Sequence, residues 1–190
     1  MENRLVTRYD SVSQALHWAT AFLVLWAYIN GLGGSESRVY LPLYDSQRQI
    51  HETVGLGVFL LVAVRLLWRM IEIPPVPLPV ARWMNIAARL TQSTLYVLLF
   101  AVPCTAIVGA WLEGHPLTLL DGLAIQSPSM VSHNAGAAIA RLHTWLGDVI
   151  IWLGAFHALA ALYHHFFLKD SALVSMLPRW FPLGNRFRER

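Results

Sequence analysis

The stretch from His143 to His165, HTWLGDVIIWLGAFHALAALYHH, limits what this chain can fold into more than any other part of it. It is apolar and long enough to cross a bilayer as a helix, which takes about 20 residues, and it carries histidines at both ends. His143 and His157 are fourteen residues apart. At about 100° and 1.5 Å per residue they lie about 40° apart in azimuth and about 21 Å apart along the axis. One face of one helix therefore presents two imidazoles near opposite edges of the hydrocarbon. Such groups are costly in a membrane unless they face the bundle interior and have partners, so the rest of the chain is read for what meets them.

Composition agrees with a membrane solvent. Of 190 residues 56% are hydrophobic and only 13% charged, with a mean hydropathy of +0.48, whereas soluble domains carry about 25% charged residues. The expectation is an all-α integral membrane protein, one domain over 1–190. The net charge of +3 comes from basic residues flanking apolar runs, which reads as a topology signal and argues against a nucleic-acid partner. The single cysteine, Cys104, lies inside an apolar segment, so a disulfide framework or a cysteine-ligated metal site within the chain is excluded. Histidines are the available metal ligands. The arginines before the first apolar run resemble a signal peptide, but no A-x-A-type cleavage site follows, so that run is read as a retained helix.

Four spans are expected, at about 13–32, 50–69, 90–112 and 142–167. The first ends at Gly31, Gly33 and Gly34, and the second is cut off by IEIPPVPLP. ARWMNIAARL reads as an interfacial segment before the third span, which contains Pro103. The segment 113–140 reads as a long loop with a short surface helix. Of the fourteen lysines and arginines, eleven lie at the N-terminus, around the connection between spans two and three, or in the C-terminal tail. Only Arg38, Arg48 and Arg141 lie elsewhere. The positive-inside rule then makes both termini of this four-helix bundle cytoplasmic.

That topology gives each histidine a depth. His17 and His157 fall near the inner edge, His51 and His143 near the outer edge, so the depths match in pairs. Two imidazoles on facing helices clamping a planar macrocycle is how a bundle holds haem, and bis-histidine iron has no vacant position for substrate. Such sites move electrons. Gly55 follows His51 by four, Gly147 follows His143 by four and Gly154 precedes His157 by three, so each lies beside a histidine on its own face. They could admit a porphyrin or serve close helix packing. Arg65, fourteen residues after His51, is placed to pair with a haem propionate or to snorkel to headgroups. Arg48 and Arg141, near His51 and His143, could draw an anion or be ordinary loop charges.

His164, seven residues past His157, could meet a quinone or relay its proton; His165, His115 and His133 carry weaker expectations. Five tryptophans, at 18, 26, 68, 111 and 145, need only the aromatic-belt explanation. Asp148, inside span four, needs a hydrogen-bond partner or a proton.

These residues resemble the bacterial di-haem cytochrome b561 family across nearly the whole chain. The matching stretches are SQALHW, RQIHETVGL, VRLLWR before a proline-rich turn, AVPCTAIVG, RLHTWLGD and FHALAALYHHFFLKDS. The resemblance implies two haems b with axial ligands at His17, His51, His143 and His157, exchange of electrons with ubiquinone, and residence in the bacterial inner membrane. Some members look like superoxide oxidases that pass an electron from periplasmic superoxide to the quinone. The expected function is accordingly a superoxide:ubiquinone oxidoreductase or a relative using another periplasmic donor. The alternatives are a non-catalytic electron-transfer subunit serving a separate dehydrogenase or secreted redox partner, and a bundle whose histidines bind zinc or nothing.

Overall fold

The computed structural model describes residues 8–33, 36–73, 75, 80–127, 131–178, 180 and 181. Arg4, Gly34, Arg179 and the last three arginines, used above, lie outside them. Four long helices dominate: α1 (Ser11–Asn30), α2 (Asp45–Ile71), α3 (Arg82–Glu113) and α4 (His133–Tyr163), the last widening into a π-helical turn at His164–Leu168. Each is long and apolar enough to cross a membrane. The architecture is a membrane four-helix bundle.

All four helices depart from their expected limits, for local reasons. Asp10 caps α1, its Oδ1 accepting from the Ser13 N–H at 2.8 Å, so the helix begins at Ser11. The polar stretch before Ile50 reads as loop by composition but forms the first turn of α2, where Arg48 pairs with Asp45 and Glu52 at helical spacing. ARWMNIAARL is not a separate interfacial element. Nothing between Arg82 and Leu90 breaks a helix, and α3 runs unbroken through it and through Pro103. His133 to Ala140 belongs to α4 rather than to a loop. Within the connection that remains, the described residues form a small hairpin, β1 (Leu117–Thr118) antiparallel to β2 (Ala124–Ile125), whose tip is a short 3-10 turn over Leu120–Gly122 with Asp121 and Gly122 at φ of 72° and 77°.

Lipid tails are as apolar as leucine, so helices in a bilayer associate through close contact rather than water exclusion. Small residues allow it here. A Cβ on Gly109 would lie 3.3 Å from the Ala140 backbone nitrogen, and one on Gly136 only 2.6 Å from Glu113 Cγ. Thus α3 and α4 run against each other along most of their length, as do α1 and α2, while α1 and α4 meet at few points. Val58, Val62, Leu98, Leu99 and Ile150 form the buried core. The seam between α1 and α4 stays open enough for side chains to meet across it.

The end of the bundle where α1 begins is tied to the segment that follows α4. The Gln14 amide donates to the Tyr9 and Ser175 carbonyls at 3.0 and 3.2 Å, and the Trp18 indole to the Met176 carbonyl at 2.8 Å. Trp18 therefore does more than sit in an interfacial belt. The Ser13 hydroxyl contacts the Glu72 carboxylate and joins α1 to the end of α2.

Candidate functional site

The four histidines meet as two pairs. His17 on α1 faces His157 on α4 with ring centres 6.5 Å apart and planes at 70°. His51 on α2 faces His143 on α4 at 5.9 Å and 84°. Two imidazoles bound to opposite sides of one metal by bonds of about 2.0 Å, each ring centre about 1 Å behind its nitrogen, stand roughly 6 Å apart. Both pairs have that spacing.

Backbone carbonyls orient the His51–His143 pair. The Gly31 N–H that would close the last α-helical turn of α1 bonds to Tyr28 O at 3.0 Å, leaving Ala27 O to accept from His51 Nδ1 at 2.8 Å. Gly31 also lies close against this ring, since a Cβ there would be 3.4 Å from His51 Cε1. On the other side His143 Nδ1 donates to Val102 O at 2.9 Å, next to Pro103. With Nδ1–H committed on both rings, the free lone pair is on Nε2 in each, the arrangement second-shell partners impose on metal-binding histidines. The His17–His157 pair is built differently: Arg65 Nη2 donates to His17 Nδ1 at 3.1 Å, and its guanidinium carbon lies 5.2 Å from the Tyr96 ring centre.

The glycines separate two explanations left open by spacing alone. Gly55, Gly147 and Gly154 have nothing within 4 Å of where a Cβ would stand, unlike Gly109 and Gly136. They are not helix-packing contacts. They leave space beside the paired rings, and a flat macrocycle between the helices needs such space. Zinc fits less well, because among the described residues no three His, Cys, Asp or Glu side chains converge, and structural zinc takes four ligands.

The remaining candidates fall in several places. Arg48 is drawn into an ion-pair network with Asp45 at 2.9 Å and Glu52 at 3.1 Å, its side chain 11% exposed, and lies 5.0 Å from the Tyr40 ring centre. Its charge is compensated within this network. Glu52 also accepts from the Thr118 N–H, pinning the hairpin to α2 beside His51. Arg141 is exposed. His115 stacks on Tyr40 with ring centres 3.5 Å apart, and His133 opens α4. His164 Nδ1 contacts Asp170 Oδ2 at 2.5 Å, while His165 is buried against Phe166. Asp148 accepts from the Tyr28 hydroxyl at 2.9 Å.

Sequence reasoning missed Gly31, the Ala27 and Val102 carbonyls, Asp170 and Tyr28. Gly31 had a signal as the residue closing α1, and Pro103 marked the neighbourhood of Val102. The carbonyls carry no side-chain signature at all.

Four apolar helices with two facing imidazole pairs define a class, a multi-pass membrane bundle suited to carry haem. Residues 8–179 match the model of the prokaryotic cytochrome b561 family. The chain belongs to that family of membrane electron-transfer proteins, whose cofactor is haem b. It is 32% identical to cytochrome b561 homolog 2 of Escherichia coli K12, over 90% of this chain and 91% of that one. The probable superoxide oxidase CybB of Yersinia pestis is 27% identical, covering 90% and 97%. Cytochrome b562 of Cereibacter sphaeroides is 30% identical, covering 89% and 94%.

Proposed function

We propose that the chain, a single membrane domain, holds two haems b, one between His17 and His157 and one between His51 and His143, and carries electrons across the bacterial inner membrane from a periplasmic donor to ubiquinone. The observation that carries this reading is the spacing of both ring pairs, each close to that of two imidazoles sharing one metal. Haem supplies a one-electron couple at each pair, and bis-histidine ligation leaves no axial position for substrate. The protein's own share is to orient the rings through Ala27 and Val102, leave room at Gly55, Gly147 and Gly154, and keep the layer between the pairs apolar with Val58, Val62 and Ile150.

Ligation of His17 through Nε2 requires the proton on Nδ1, so Arg65 must then turn from that nitrogen to another acceptor. A propionate is the anion such a cofactor brings, and Arg65 would pair with it. Charge asymmetry supports placing the termini in the cytoplasm and the hairpin in the periplasm. His164, held by Asp170 beyond His157, supports a quinone site at the cytoplasmic face: the carboxylate fixes the ring and the imidazole passes a proton.

For the donor we favour superoxide, on the strength of the relative that bears that name. With Arg48 paired to its neighbours, electrostatic steering falls to the exposed Arg141 and Arg38, of which Arg141 lies two residues from His143. Arg141→Gln should slow reduction by superoxide several-fold at low salt and less at high salt, while Arg48→Gln should not show that salt dependence. Stopped-flow reduction of the purified protein checks both, and equal effects of the two substitutions would remove the steering role.

The redox spectrum with a haem count tests the reading as a whole. Two low-spin haems b per chain are expected, reducible by superoxide and reoxidised by ubiquinone without another subunit. A colourless, fully inserted protein would sink the electron-carrier reading. A protein with two haems that reacts only when a dehydrogenase or secreted redox partner is supplied would be a non-catalytic electron-transfer subunit.

A further inference from the structure

The two histidine pairs are not equally ready for a metal. An imidazole binds iron through a ring lone pair, and in the neutral ring one nitrogen has the lone pair and the other the proton. Partners whose own role is fixed show which is which. A backbone carbonyl can only accept, so His51 carries its proton on Nδ1, 2.8 Å from Ala27 O, and His143 carries its own on Nδ1, 2.9 Å from Val102 O. Both rings keep the Nε2 lone pair for a metal. A guanidinium can only donate. Arg65 Nη2, 3.1 Å from His17 Nδ1, engages that lone pair and leaves the ring proton on Nε2. With one nitrogen engaged and the other protonated, His17 offers a metal nothing while Arg65 stays.

Arg65 is held in this position and has room to leave it. Its guanidinium carbon is 5.2 Å from the Tyr96 ring centre on α3. It also borders a cavity of about 20 Å³, space for about one water, shared with Tyr9, Ser13, Tyr96 and Glu72. The Glu72 carboxylate accepts from the Ser13 hydroxyl and from Arg69 Nη1 at 3.4 Å, and its side chain is only 5% exposed. A second acceptor for the guanidinium thus lines the cavity into which it can turn.

We infer that Arg65 is a latch on His17 that orders haem loading, the His51–His143 pair filling first and the His17–His157 pair only after Arg65 turns away. The order rests on the two-haem reading above. Filling of the second pair requires loss of one charge-assisted hydrogen bond and transfer of one proton from Nε2 to Nδ1, with no net change in the charge of the ring. Loss of a hydrogen bond to a charged group slows such a step by about ten- to a hundredfold. Because Arg65 regains an acceptor once it has turned, the latch acts on the rate of loading and not on final occupancy.

The full chain, made in membranes under limiting haem so that it carries at most one haem per molecule, tests this. His157→Ala and His51→Ala supply the reference spectra of the His51–His143 and the His17–His157 haem alone. The half-loaded chain should show the first spectrum, and added haemin should fill the second pair slowly. Arg65→Met should speed that second filling by about tenfold or more. Tyr96→Leu, which keeps Arg65 and removes the ring against its guanidinium, should speed it several-fold, and Tyr96→Phe should leave it unchanged. Tyr96→Leu carries the test alone if Arg65→Met fails to insert. A half-loaded chain with its haem at His17–His157 or in equal shares at both pairs would overturn the inference, as would a second filling that neither variant accelerates. Two haems arriving together would leave the carrier reading standing, whereas a chain that takes up no haem would overturn both.

Discussion

The His157→Ala variant should retain one low-spin haem b where the parent chain holds two, and His51→Ala should retain the other. Each substitution removes one of two imidazoles whose ring centres stand 6.5 or 5.9 Å apart, and the described residues offer no neighbouring histidine at either pair to take its place. His164, the closest histidine along α4, is engaged with Asp170. About half of the haem absorbance should be lost or turn high-spin in each variant, and nearly all of it in the double variant. The effect is large because an axial bond to a buried iron has no solvent substitute of equal strength. His164→Ala and His115→Ala should keep both haems. Haem counts with reduced-minus-oxidised spectra decide the matter. Two unperturbed low-spin haems in either single variant would refute the pairing.

The glycines should behave oppositely according to what faces them. Gly55→Leu is expected to leave helix content and membrane insertion intact and to abolish loading at the adjacent His51–His143 pair, because apart from its own helix backbone and chain neighbours nothing lies within 4 Å of where its Cβ would stand. Gly154→Leu should do the same at His17–His157. Gly136→Ala, a far smaller change, should instead destabilise the fold by roughly 1–3 kcal/mol, the usual cost of overpacking, since its Cβ would lie 2.6 Å from Glu113 Cγ and 2.9 Å from the Glu113 backbone nitrogen. Thermal unfolding in detergent and haem titration separate the two classes. If Gly55→Leu lost stability and kept its haem, Gly55 would be a packing residue after all.

The sequence showed much of this because a bilayer leaves a chain few choices. Every backbone polar group must be satisfied within its own segment, so four long apolar runs mean four helices. Helical periodicity then places His143 and His157 on one face, and matching depths alone suggest that His17 meets His157 and His51 meets His143. Helix ends were less legible. At Asp45–Gln49 and His133–Ala140 polarity and small residues imitate loop, yet i,i+3 and i,i+4 ion pairs in one case and contact with Glu113 in the other hold them helical.

Side-chain roles divided along the same line. Type and spacing proposed Arg48 as an anion attractor, but Asp45 and Glu52 lie within its reach, and only folded geometry shows a charge already cancelled. Asp148 needed a partner, and its partner is on another helix. Gly55 and Gly136 are the same residue in similar apolar helices, one beside open space and the other against a backbone. Hydrophobic length, helical period and histidine position, all local properties, determined the bundle and the pairing of its histidines. What orients those rings, which glycines leave room and which charges stay uncompensated depend on distances between helices, and the tertiary structure alone decided them.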